Sequence, residues 1–205
     1  MIDHDSHHAN RLETQLAFVR EVDKLKHIVR RTWLLDGTRL ENDAEHSWHL
    51  ALMAFLLAEH AANSQLDVLH VMQMVLVHDL VEIDAGDTYA YDLAGKATQA
   101  DRERRAAHRL FGELPEDQAG QLRALWEEFE AGKTVESRYA AALDCLQPMM
   151  HNYFTQGRAW IEHGVTADQV IARCQPIAEG APRLWQYAEA LIDDAVARGY
   201  LAPSR

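Results

Sequence analysis

The 205-residue chain is 48% hydrophobic and 25% charged, the balance of one ordinary globular domain with a full core. A net charge of −12 works against the broad Lys/Arg neutralisation on which nonspecific polynucleotide and anionic-membrane binding rest, so neither partner is expected. The 10 Gly and 5 Pro are too few for the turns of an all-β protein. No apolar run reaches the roughly 18 residues of a membrane helix.

Residues 1–10 are polar and His-rich with no apolar signal core, so they are expected to form a flexible tail on a cytoplasmic protein, with 11–205 as a single domain. His4, His7 and His8 belong to that tail. From Leu12 the residues Leu12, Leu16, Val19, Val22, Leu25, Val29 and Trp33 step by three or four, which predicts one amphipathic helix. Asp36-Gly37 marks a turn. Asn42 with Glu45 offers a capping box for a second helix through about Ala62, apolar nearly all round from Leu50 to Ala58 and therefore central. Asp67 caps a third helix, Val68 to about Glu82. A loop with Gly86 and Gly95 precedes a charged helix near Thr98 to Phe111.

Pro115 at a first helical position, followed by Glu116 and Asp117, opens a helix to about Ala131. Its stretch Trp126-Glu127-Glu128-Phe129-Glu130 reads as a solvated acidic face. Thr134 caps the next helix, which turns Tyr139, Leu143, Leu146 and Met150 inward. Pro148 lies inside it and removes the donor for the Asp144 carbonyl, so a kink or local adjustment is expected there. Thr166 and Gln169 form another capping box, and the last helix is expected to end at Gly199. The fold class is all-α, a single-domain helical bundle.

The chemistry concentrates at Val77-His78-Asp79-Leu80-Val81-Glu82. An isolated His-Asp pair at the end of an apolar run reads first as a hydrogen-bonded structural pair, because unpartnered ionisable groups there are costly. The context shifts that reading. On a helix, Glu82 shares a face with His78 and Asp79, and Asp87 follows just after Gly86. His46 opens the second helix, and Asp144 lies on the inward stripe of a later one. Two imidazoles and two carboxylates suit a divalent first-row metal and leave room in its shell for water or substrate.

The order His46, His78-Asp79, Asp144 resembles the HD-domain superfamily of metal-dependent phosphohydrolases. The strings Asn42-Asp43-Ala44-Glu45-His46-Ser47-Trp48 and His78-Asp79-Leu80-Val81-Glu82-Ile83-Asp84-Ala85-Gly86-Asp87 resemble its 5′-deoxynucleotidase branch. The resemblance covers roughly residues 12 to 160. It implies a helical bundle, often a homodimer, holding one divalent ion (Mn, Co, Zn, Fe, Ni or Mg) on His46, His78, Asp79 and Asp144. It also implies Glu82 and Asp87 near the reacting water, and an Arg before the first ligand on the phosphate of a nucleoside monophosphate. Arg30 fits the spacing to Trp33; Arg31 fits a count backward from His46.

Trp33 and Trp48 either border a nucleobase or, as large aromatics at helical spacing commonly do, pack in the core. His49 and Cys145 read as structural. The cyclic-di-nucleotide phosphodiesterase and di-iron oxygenase branches are disfavoured by the missing Gly-Tyr-Pro signature and the missing extra histidines. The rivals that stay open are a nucleoside-triphosphate hydrolase and a nucleotide-sensing module without turnover.

Overall fold

The first helix, α1 (His4–Val22), begins inside the stretch expected to be a tail and stops well short of Trp33. The computed structural model describes residues 4–204, and for residues 4–9 the backbone alone; the side chains of His4, His7 and His8 lie outside what is described. After a 3-10 turn at Asp23–His27 the chain forms an antiparallel hairpin, β1 (Val29–Trp33) with β2 (Leu40–Asn42), pairing Val29 with Asn42 and Trp33 with Leu40. The expected continuous helix from Leu12 to Trp33 is thus corrected. Ile28, Val29 and Thr32 are β-branched, and the Asp36-Gly37 turn folds them back onto β2. At the turn Thr38 N–H donates to Asp36 Oδ1 at 3.0 Å, and Gly37 takes φ +69°.

Asn42 caps α2 (Asp43–Leu56) with the expected capping box: Glu45 N–H donates to Asn42 Oδ1 at 3.0 Å, and Asn42 N–H to Glu45 Oε2 at 3.2 Å. Asp67 caps α3 (Val68–Val77), where His70 N–H donates to its carboxylate. That helix ends earlier than expected. It tightens into a 3-10 turn at His78–Val81, followed by the single-turn α4 (Glu82–Ala85), which Gly86 closes at φ +74°.

The charged helix α5 (Leu93–Phe111) starts before Thr98, because the Asp92 side chain accepts from the N–H groups of Ala94 and Gly95. Pro115 stands at the cap of α6 (Glu116–Ala131) rather than inside its first turn. Thr134 caps α7 (Val135–Phe154), which stays helical through Pro148. Then come α8 (Arg158–His163), α9 (Ala167–Gly180), opened by the Thr166/Gln169 box, and α10 (Pro182–Ala197), which stops two residues before Gly199. A single hairpin aside, the described residues form the helical bundle that the sequence predicts.

Two apolar clusters organise the bundle. The larger joins α2, α3, α7, α9 and α10 through Leu50, Met74, Leu143, Leu146, Ile177 and Ile192, all essentially sealed from solvent. Each such Leu or Ile contributes roughly 1.5–3 kcal/mol of burial. Close approach of α7 and α9 needs Gly180, where a Cβ would lie 2.2 Å from the Arg138 carbonyl oxygen. The smaller cluster gathers Phe18, Leu25, Val77, Leu80, Val81, Leu110, Phe111 and Trp126. The His78–Val81 turn lies at the seam: Leu80 and Val81 pack into the smaller cluster, while His78 and Asp79 line a cavity. No helix among the described residues is long and apolar enough to cross a membrane.

Candidate metal centre

Three helical segments bring the site together. His46 comes from the first turn of α2, set by the Asn42 cap; His78 and Asp79 come from the 3-10 turn after α3; Asp144 comes from the middle of α7. His46 Nε2 lies 3.1 Å from Asp144 Oδ1 and 3.9 Å from Asp79 Oδ2. His78 Nε2 lies 3.1 Å from Asp79 Oδ1 and 3.9 Å from Asp144 Oδ1. His46, His78 and Asp79 thus bring ligand atoms within 4.8 Å of one another, with Asp144 against both imidazoles. His78, Asp79 and Asp144 line a cavity of about 290 Å³.

The hydrogen-bond roles say what this point lacks. His78 Nδ1 faces the Val75 carbonyl at 2.8 Å, an acceptor, so Nδ1 carries the proton. His46 Nδ1 likewise faces Gln147 Oε1 at 3.0 Å. In the neutral rings both Nε2 atoms are then bare lone pairs directed at carboxylate oxygens, and His78 Nε2, buried, has no hydrogen-bond partner. Adjacent ligands on an ion held at about 2.1 Å sit about 3.0–3.4 Å apart, which the two 3.1 Å spacings match while the two 3.9 Å spacings are wider. The donor set fits a divalent cation.

Protons compete for the same place. Burial alone would lower the His78 pKa, but Asp79 and Asp144 outweigh it and lift it to about 9. His46 goes the other way, to about 4, through burial and then the charge of Arg30. Burial would raise Asp144; Arg173 first, then the imidazoles, hold it well below the usual carboxylate range.

Two arginines already serve the site's carboxylates. Arg30 Nη1 donates to Asp79 Oδ2 at 2.9 Å and to Asp43 Oδ1 at 3.1 Å, and Arg173 Nη2 donates to Asp144 Oδ2 at 2.8 Å. Glu82 and Asp43 are both buried, with carboxylate oxygens of Asp43, Asp79 and Glu82 within 4.8 Å of one another, a crowding of like charge that favours holding a proton. Burial, then the charge of Asp79, pushes both upward. Asp87 lines the cavity, its pKa raised by burial against the opposing pull of Arg30.

Arg31 is exposed and lines the cavity, and no hydrogen bond or ion pair holds its head among the described residues. Trp33 is absent from the cavity lining. Its ring lies 3.2 Å beneath the Arg158 guanidinium and its carbonyl accepts from His151. Trp48 is 63% exposed, neither core nor cavity wall.

The solvated acidic face expected at Trp126–Glu130 holds for Glu127 and Glu130, which are exposed, but not for Trp126 and Phe129. Trp126, Phe129 and Glu130 share one side of α6 by helical spacing: Trp126 is buried, Phe129 packs 4.7 Å from the His78 ring, and Glu130 lines the cavity. Cys145 is buried packing, as read, with Arg173 Nη1 donating to its sulfur at 2.9 Å.

Sequence reasoning missed Asp43, Arg173 and Gln147. Arg173 has no local signal, since its partner is 29 residues away. Gln147 had one: it follows Asp144 by three positions on a helix and so shares its face.

Known proteins carry related chains. The HD-domain family matches residues 22–185. Human 5′-deoxynucleotidase HDDC2 is 31% identical over 63% of this chain, and its zebrafish (Danio rerio) counterpart 28% over 69%. The aligned stretch spans 62% of the human protein's length. A crystal structure from Magnetospirillum magnetotacticum MS-1, described as a predicted metal-dependent phosphohydrolase, superposes with a TM-score of 0.90 at 54% identity. It covers 94% of this chain and 96% of that one. The family match runs from the end of α1 into α10 and takes in every residue of the site, so the protein belongs to the HD-domain family.

Proposed function

We propose that the protein is a divalent-metal-dependent phosphomonoesterase acting on nucleoside 5′-monophosphates, with deoxynucleotides as its expected substrates. The observation that carries the proposal is the convergence of the His46 and His78 Nε2 atoms with Asp79 and Asp144 at a cavity that Glu82, Asp87 and the uncommitted Arg31 also line. The names of the human and zebrafish relatives and of the Magnetospirillum structure support it.

His46, His78, Asp79 and Asp144 would hold the ion. When bound, it supplies Lewis acidity to a phosphate oxygen and makes a neighbouring water more acidic. Arg31 binds the phosphate and orients it, since Arg30 is already committed to Asp43 and Asp79. Glu82, which lines the cavity beside Asp79, accepts the proton of the attacking water. The bond from phosphorus to the 5′ oxygen breaks, and that oxygen leaves with the electron pair. Asp87, shifted upward by burial, is suited to protonate it. The products are a nucleoside and inorganic phosphate.

A homodimer is part of the proposal. Trp48, Leu52, Phe55 and Leu56 form a solvent-facing apolar stripe on α2, 41–65% exposed, and self-association would cover it.

The test is phosphate release from metal-stripped protein given deoxynucleoside monophosphates, with divalent ions added back singly. Release that needs an ion and vanishes in Asp79→Ala is expected. Metal binding without release from any monophosphate would overturn the proposal.

A further inference from the structure

Beside the metal centre, Glu41, His49 and His151 bring ligand-capable atoms within 4.8 Å of one another, a set that by residue type could hold a second ion. The centre of that set is already filled. Gln147 Nε2 lies 2.6 Å from Glu41 Oε1, 3.1 Å from His151 Nε2 and 3.3 Å from His49 Nδ1. We infer that Gln147 is the positioning residue of the metal centre, fixing the tautomer and aim of His46 through a hydrogen-bond relay anchored on the Trp33 carbonyl. The inference rests on the metal-centre reading above for its consequence, but not for its geometry.

The relay can be followed from its fixed end. The Trp33 carbonyl only accepts, so His151 Nδ1, 3.0 Å away, must donate. In the neutral ring His151 Nε2 is then an acceptor, and it needs a donor from Gln147. The amide nitrogen supplies one hydrogen there and the other to Glu41. That orientation turns the amide oxygen to His46, 3.0 Å from Nδ1, which must therefore carry the ring's proton. Nε2 is left as a lone pair facing Asp144 and Asp79.

The opposite amide orientation would require a charged His151, and burial pushes that ring's pKa below its ordinary value. Glu41, His46, Gln147 and His151 are all at most 4% exposed, so water does not compete for these bonds. Among neutral side chains of this length only Gln offers an acceptor on one branch and two donors on the other. Glutamate would set a carboxylate against Glu41; leucine would leave His46 free to turn its proton toward Asp144.

His78 provides an internal control. Its Nδ1 proton is held by the Val75 carbonyl, outside the relay. The experiment is ¹⁵N NMR of the histidine rings in metal-free Gln147→Leu, together with metal affinity measured against a chromophoric chelator. Wild type is expected to show the Nδ1–H tautomer at His46, with His78 serving as the reference ring.

In Gln147→Leu, His46 is expected to lose that tautomer while the His78 ring signals stay as in wild type, and metal affinity is expected to fall by about 10–100-fold. A folded variant in which His46 stays Nδ1–H and affinity moves less than about threefold would overturn the inference. Should Gln147→Leu not fold, His151→Leu decides. It unties the amide while sparing the Gln147–His46 contact, and mixed His46 tautomers are expected, against an unchanged single tautomer if the relay is idle. Wild type that binds no divalent ion would overturn the metal reading alone, because the tautomer result stands without an ion.

Discussion

Arg30 is the most exacting point of the electrostatic account. Its guanidinium, 12% exposed, bonds Asp79 at 2.9 Å and Asp43 at 3.1 Å, and the Asp43 side chain is wholly buried. Arg30→Met keeps much of the stem's volume and deletes the charge. It leaves Asp79 and the Asp43–Glu82 pair without their shared cation, and removing one partner of a buried ion pair costs about 3–5 kcal/mol. For a domain of this size 1 kcal/mol moves the Tm by about 2–4 °C, so the metal-free variant should melt about 6–20 °C below wild type.

The assay is thermal unfolding followed by circular dichroism on stripped protein. The double variant Arg30→Met/Asp43→Asn should recover a substantial part of the loss, because the orphaned carboxylate is gone. Adding a divalent ion should narrow the gap as well, by restoring positive charge beside Asp79. A drop under about 3 °C, or no recovery in the double variant, would refute the claim that Arg30 compensates this cluster.

The same variant has a pH signature. Asp43 titrates above its unfolded value even with Arg30 beside it, pushed to about 7 by burial and then by Asp79. A carboxyl shifted upward binds more protons folded than unfolded, so stability falls as pH rises above the unfolded pKa near 4. Without Arg30 the shift grows, and the deficit of Arg30→Met should therefore widen from pH 5 to pH 8; a constant deficit in melts across that range would count against it. Arg31→Ala should raise KM for a nucleoside monophosphate by about tenfold or more, with Tm unchanged because the side chain is exposed. Steady-state kinetics showing an unaltered KM would remove Arg31 from phosphate binding. Phe55→Asp should convert a dimer to monomer in sedimentation velocity; an unchanged distribution would place any self-association elsewhere.

What could be read from the chain depended on the range of the interaction. Helix starts at Asn42, Asp67, Thr134 and Thr166 were legible because each cap closes within three residues. The hairpin was not. Leu25, Val29 and Trp33 recur every fourth residue and continue the helical rhythm of α1, while the pairing of Val29 with Asn42 spans thirteen positions. Leu12, Leu16 and Val19 kept that rhythm yet stand 47–61% exposed, so periodicity there did not report burial.

At the site, residue type was legible and availability was not. His46, His78, Asp79 and Asp144 stood out through short strings that the structure brings together. The cationic side chains of the cavity, Arg30, Arg31, Lys96 and Arg173, look equivalent as letters, and the chain's net charge says nothing about them. The fold divides them. Arg30 and Arg173 are consumed by Asp79 and Asp144, whereas among the described residues no hydrogen bond or ion pair holds the heads of Arg31 and Lys96. A cation that neutralises a ligand carboxylate weakens that carboxylate's pull on a proton, whereas an uncommitted one is left to meet an incoming anion. Which arginine is engaged depends on partners 29 to 49 positions away, and this is why the spacing to Trp33 pointed to Arg30 and a count backward from His46 to Arg31, while neither could see the Arg30–Asp79 bond.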